Sequence, residues 1–121
     1  MSHRHLRYRP LLLAGLLAIG LTGCANRPQP LYHWGSFQDQ QYAYFKGDKG
    51  PEEGIQELEK ILEEAKSRGK SVPPGFHAHL GMLYGQTGRT DLFEQNLQAE
   101  RQQFPECSVY VDFLLKKNQK Q

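Results

Sequence analysis

Two thiols, five imidazoles and one Gly-Lys-Ser triplet are the groups of this chain that could do chemistry. Gly69-Lys70-Ser71 ends like a phosphate-binding loop, but that loop needs another glycine five residues before Gly69, where this chain has Glu64. The loop also joins a strand to a helix, whereas this segment leaves a predicted helix, so it is rejected as a nucleotide site. His77 and His79 lie two apart on a predicted helix and so point about 200° apart. They cannot chelate one ion together, since zinc pairs on helices prefer i,i+4 spacing. With no third ligand nearby, both read as surface or groove polar residues, and no metal or cofactor is expected. His33 lies in a proline-rich segment and reads as solvated. Cys107 stands near a predicted helix start, which favours the thiolate, and beside Glu106, whose charge opposes it. A buried small residue is its leading reading and an intermolecular disulfide the other. No Ser–His–acid or Cys–His pairing has a supporting motif, so the expectation is a protein that is not an enzyme.

The second thiol, Cys24, has a different setting. It closes Leu21-Thr22-Gly23-Cys24, after a basic segment (Arg4, Arg7, Arg9) and an apolar run from Leu11 to Leu21. Basic, then apolar, then small residues is the order of a secretory signal. The apolar run is about half of the ~20 residues that cross a bilayer, so it reads as a signal core and not as a permanent span. The tetrapeptide resembles the lipobox of bacterial lipoproteins. That resemblance implies diacylation of the Cys24 thiol, cleavage before it, and acylation of the new amine, with this covalent lipid as the anchor. Two or three acyl chains, each worth ~0.8 kcal/mol per buried CH₂, hold far better than one myristoyl chain. An uncleaved N-terminal anchor is the other reading, and it leaves Gly23-Cys24 as a coincidence. Ala25 follows. In the lipoprotein sorting rule Asp at that position retains the protein in the inner membrane, so Ala25 implies the outer membrane, with the domain on its periplasmic face.

Removal of residues 1–23 takes three arginines and no acid, leaving twelve basic and thirteen acidic residues, a net charge of −1. The basic balance of the whole chain therefore belongs to the signal, and no basic stripe for nucleic acid remains. The 98 residues left allow one small domain with one modest core. Cys107 then has no intrachain partner, so the fold is held by packing.

The elements that position these groups read as helices. Residues 24–33 form a tether, extended by two prolines and reaching ~25 Å at ~3.1 Å per residue. Residues 34–118 form the domain. Ser36 and Asp39 resemble a capping pair for a helix over 36–46. Within its aromatic cluster Phe37, Tyr44 and Phe45 are expected in the core, whereas Trp34 and Tyr42 are either core or partner anchors. Pro51 opens a helix over 51–68 whose stripe is Ile55, Leu58, Ile61, Leu62 and Ala65. Glu57, Lys60, Glu63 and Glu64 form its solvated face. After Val72-Pro73-Pro74-Gly75 a helix runs over about 75–87, with Phe76, Leu80, Leu83 and Tyr84 on one face. Asp91 and Glu94 look like a cap pair for a helix over 91–104, striped by Phe93, Leu97 and Phe104, with Glu100 discordant. The last segment, 106–117, presents Val109, Tyr110, Phe113 and Leu114. Its Val-Tyr-Val run is also strand-like, but the spacing favours helix.

Leu80-Gly81 followed by Tyr84, Gly88 at the turn and Pro105 at the close make residues 74–105 resemble a tetratricopeptide repeat. In that pattern Gly81 lets the second helix approach closely. His77 departs from it by replacing an aromatic, and Phe93 and Glu100 by replacing small residues. A large Phe93 should splay the helix pair or fill a gap. The fold class expected is therefore all-α, about five short helices in antiparallel hairpins, tetratricopeptide-like. Residues 32–115 also resemble a family of short bacterial lipoproteins of unknown function. The likeness rests on Trp34-Gly35-Ser36-Phe37, Leu58-Glu59-Lys60-Ile61, Val72-Pro73-Pro74-Gly75, Leu80-Gly81-x-Leu83-Tyr84 and Phe104-Pro105-Glu106. Members sit beside a lipoprotein resembling the curli secretion channel and a second small lipoprotein. That neighbourhood implies a non-enzymatic adaptor or accessory subunit of an envelope or secretion assembly, with the channel-like lipoprotein as a partner. The expected partner surface is the concave face of the stacked helices, with Trp34, Tyr42, His77, Gly81, Tyr84 and Asn96 as candidate residues. The alternatives are a small periplasmic enzyme or ligand binder acting on cell-envelope material, which would need a deep polar pocket, and a structural spacer.

Overall fold

Prolines and glycines punctuate this chain, and the helices lie between them. A computed structural model describes residues 27–118; Cys24, the signal segment and the first tether residues lie outside that range. The described residues form an all-α fold of five helices: α1 Phe37–Lys46, α2 Pro51–Ser67, α3 Phe76–Gln86, α4 Thr90–Gln103 and α5 Ser108–Asn118, with a 3₁₀ turn at Pro105–Cys107 before the last. Successive helices run antiparallel. Between α3 and α4, for example, Ala78 meets Glu100, His77 meets Asn96 and Gly81 meets Phe93.

α3 is the central helix. Its sequence is apolar nearly all round, as a helix with neighbours on every side must be, and eight of its eleven residues are buried. Phe37 of α1 stacks on Phe76 at 5.0 Å. Ile55, Leu58, Ile61 and Ala65 of α2 are buried with it, as their stripe predicts. Leu97 of α4 and Val111 of α5 complete the core. Close approach depends on glycine. A Cβ at Gly81 would lie 3.2 Å from the Phe93 carbonyl oxygen and 3.3 Å from Asn96 Cβ, so α4 can seat there only because Gly81 lacks one. The large Phe93 is accommodated by a second gap of the same kind, with its ring 3.1 Å from where a Gly85 Cβ would stand.

Four expectations are corrected. Phe45 is not core but 72 % exposed, because α1 has a single buried side and Phe37 takes it, with Tyr44 only half-buried. On α5 the buried residue is Val111, backed by Leu114 and Leu115, while Val109, Tyr110 and Phe113 face outward. Both stripes are apolar, and the 3₁₀ turn sets which one meets α4. Neither expected side-chain cap forms, at Ser36 or at Asp91. Ser36 sits outside the extended region from which its hydroxyl could reach the first N–H groups, and α4 starts one residue before Asp91. Finally, His33 is not solvated. Its N–H donates to the Ser71 carbonyl at 2.8 Å, and its ring lies 3.3 Å from the Glu64 carboxylate. Glu64 is thereby drawn out of the solvated face of α2, and Tyr32 pairs with Ser71 and rests edge-on against Phe104 at 5.8 Å.

The discordant Glu100 has a specific task. It is 1 % exposed, and its carboxylate accepts the N–H of Gly75 at 2.6 Å and of Ala78 at 3.2 Å. α3 has no side-chain cap of its own, since Gly75 occupies the N-cap position with φ 89°. α4 thus supplies the acceptor that α3 lacks, and the anion also favours the positive end of the α3 dipole. Glu100→Ala should lower stability by about 3 kcal/mol, because two buried N–H groups lose a charged acceptor. Glu100→Gln, which keeps one acceptor oxygen, should lose less. Urea denaturation of the two variants checks this order; an alanine variant as stable as the parent would show that the bonds carry no net energy.

Candidate functional site

α2 and α4 flank α3, and the space between them is a groove of about 620 Å³. Its floor is His77, Leu80 and Tyr84 of α3, its walls include Leu62 of α2 and Leu92 and Ala99 of α4, and Lys70, Ser71 and Gln103 line one end. Apolar floor positions with a few fixed polar groups are the usual composition of a binding site.

The polar groups on the floor are held by their neighbours. Asn96 Nδ2 donates to the Leu92 carbonyl at 2.9 Å, which turns its Oδ1 toward His77 Nδ1, also at 2.9 Å. Nδ1 is therefore the donor of this pair. Seven residues and two turns away, the Tyr84 hydroxyl donates to the Glu59 carboxylate. Burial, then the hydrogen bond and charge of Glu59, push the Tyr84 hydroxyl up to about 12, with nearby Arg89 acting the other way. It stays protonated and works as a donor, not as a base near neutrality. Lys66 pairs with Glu63 at 2.8 Å. With Lys66 offset by Glu63, the groove is acidic at its Glu59 end and basic at its Lys70 end.

Three of the six candidate residues, His77, Tyr84 and Asn96, meet in this groove. Gly81 lies behind it on the α3–α4 seam and acts through the position of Asn96. Trp34 and Tyr42 are elsewhere. Trp34 precedes α1, tilted against Phe37 at 6.4 Å, and Tyr42 is 66 % exposed with the Lys46 ammonium 5.3 Å above its ring. Glu59, Lys66 and Gln103 line it without having been candidates, and Lys70 was considered only within the rejected Gly-Lys-Ser triplet. One signal pointed to Glu59: a tyrosine buried on a central helix needs an acceptor for its hydroxyl.

The surface or groove reading of the two histidines holds in part. His77 lines the groove but is nearly buried. His79 is buried on the other side of α3 among Phe37, Tyr44 and Phe45, with ring distances of 5.2 to 6.1 Å, and burial lowers its pKa. Burial also raises the Cys107 thiol, as do the charges of Glu100 and Glu106, so the helix start does not activate it. Among the described residues no group of three or more His, Cys, Asp and Glu could hold a metal ion. A smaller hollow of about 340 Å³ lies across α3, bordered by Met82, Gln86, Phe93 and Leu114.

The Tyr84–Glu59 pair makes a pH prediction. The folded chain holds a proton up to about 12 that the unfolded chain releases at the ordinary ~10, so stability should fall as pH rises through that window. Urea midpoints measured across it should drop more for the parent than for Tyr84→Phe. Parallel curves would show that the hydroxyl is not held this way.

The comparisons with known proteins complete the picture. A family profile described as Domain of unknown function (DUF4810) matches residues 31–114, nearly all of the helical body. No curated protein matches, and no solved structure does either.

Proposed function

We propose, for a chain that belongs to the DUF4810 family of unknown function, the role of a non-enzymatic adaptor or accessory subunit in an envelope or secretion assembly. In this reading it is a lipoprotein of the outer membrane, held through acylated Cys24 with its body on the periplasmic face. No described helix is long and apolar enough to cross a membrane. The observation that carries the adaptor role is the groove between α2 and α4. Three successive antiparallel helices with a central glycine-packed seam form a tetratricopeptide-like stack, and such stacks bind partner segments along their concave face. The groove suits a peptide, having an apolar floor, amide side chains on one wall and opposite charge at its two ends. The partner in this reading is an envelope protein, a lipoprotein resembling the curli secretion channel being the first candidate. The net charge of −1 after cleavage leaves nothing for a nucleic acid to attract.

One observation favours the alternative, a small enzyme or ligand binder acting on envelope material: the groove volume lies within the range of small-molecule sites. Against it, the perturbed residue on the floor, Tyr84, is held as a proton donor by Glu59 and has no nucleophile beside it.

Photo-crosslinking residues placed at Gln95 and Gln103, which line the groove, should capture one and the same envelope protein in intact cells. The same residues at Gln98 and Gln102, on the outer side of α4, should not. Ala99→Trp, which fills the groove, should abolish the product. An identical product pattern from both faces of α4, or none from the groove, would remove the adaptor reading.

A further inference from the structure

The chain meets its helical body at one end of the helices. α1, α3 and α5 begin at this end, and α2 and α4 finish there. The contacts that place them are Phe37 on Phe76, His33 on Glu64 and Tyr32 on Phe104. Three large apolar residues lie bare on it: Leu31 at 77 % exposure, Trp34 at 41 % and Val109 at 81 %. Two cations, Arg68 and Lys70, follow α2 at the same end.

What covers this surface follows from the chain leading to it. Leu31 is the seventh residue after Cys24 and Trp34 the tenth. At full extension seven residues span ~24 Å, so an acylated Cys24 keeps Leu31 within that distance of the leaflet. At such a separation the effective concentration of lipid around Leu31 and Trp34 is at least on the order of millimolar, and weak contacts suffice. Tryptophan is the side chain most at home at the headgroup level, and leucine beside it adds apolar area. Lysine and arginine are drawn to anionic headgroups. A second copy would have to reach this end past the leaflet that holds it. The bare residues are also separate points at helix ends, not the continuous stripe that helix pairing needs.

We propose that this end is a lipid-contacting surface. Leu31 and Trp34 enter the interfacial layer of the leaflet holding Cys24, and Arg68 and Lys70 face its anionic headgroups. The proposal rests on acylation of Cys24. Its consequence is orientation: the helices stand with this end on the membrane, not swinging on a free tether.

Trp34 is the only tryptophan of the chain, so its emission reports this surface alone. The protein purified from membranes is reconstituted into phosphatidylethanolamine–phosphatidylglycerol vesicles, and its mass reports the state of Cys24. Expected are an emission maximum shifted to shorter wavelength and loss of emission when the lipids carry bromine on their acyl chains. Leu31→Ser should reduce that loss. Arg68→Glu with Lys70→Glu should reduce it in anionic vesicles and not in phosphatidylcholine. Acylated protein whose emission ignores the brominated lipids overturns the surface and leaves the anchor standing. Quenching of protein with a bare Cys24 upholds the surface and overturns the anchor. A shift that appears without vesicles and grows with protein concentration assigns the surface to a second copy and overturns the proposal.

Discussion

The carboxylate of Glu100, buried beneath the start of α3, is the constraint on which the rest of this structure hangs. An anion so deeply enclosed is tolerated only when its oxygens are bonded, and here the bonds come from the N–H groups of Gly75 and Ala78. Those N–H groups are free because α3 begins at a glycine with a left-handed backbone and has no capping side chain. Each element supplies what the other lacks. The pairing fixes the longitudinal register of α4 against α3, and that register puts Asn96 opposite His77 and Phe93 opposite Gly81 and Gly85.

Register then decides the groove. α3 is clamped to α4 along its length by the glycine seam, whereas α2 meets α3 through its Ile55–Ala65 stripe, through Gly54, whose absent Cβ leaves room for Leu83, and through the Glu59–Tyr84 bond. The tight seam on one side and the looser one on the other leave α2 and α4 apart over the α3 floor. The two polar pairs on that floor, His77–Asn96 and Tyr84–Glu59, each join α3 to a different wall. They hold the walls in place and satisfy their own buried atoms, so shape and polarity of the groove have one origin.

Much of the helical layout was legible because it depends on local signals. Pro51 and the Ile55–Ala65 stripe gave a helix over 51–68, and α2 is Pro51–Ser67. Pro105 closed α4 where expected. What stayed hidden needed neighbours. The face α5 buries depends on the turn at Pro105–Cys107, and both of its stripes are apolar. Phe45 looked like core because hydrophobicity alone does not say how many sides of a helix are covered. His33 looked solvated because its partners, Glu64 and Ser71, lie over thirty residues on. At the site, His77, Tyr84 and Asn96 came from the pattern of the hairpin, while Lys70 and Gln103 come from segments that only the fold brings together. Glu100 was visible as a misfit, and the misfit was the signal. A charge at a position meant for a small residue implies something on the other helix that needs it.

Ser71 joins the two surfaces that matter. Its carbonyl receives His33, which ends the tether, and its residue lines the basic end of the groove beside Lys70. Whatever pulls on the chain before Tyr32 therefore acts on the segment that lines one end of the groove. Between Cys24 and that end there are no intervening flexible residues after His33, because Tyr32 and His33 are already bonded to the body. An occupant entering at Lys70 would do so beside Tyr32 and His33, whereas one entering at Glu59 would come from the far end of the helices. The charge polarity separates these routes. A segment carrying its acidic part toward the Lys70 end is matched there, and the reversed segment meets Glu59 with like charge. In the proposed adaptor, tether and groove together would select one direction for the bound segment, which neither could impose alone.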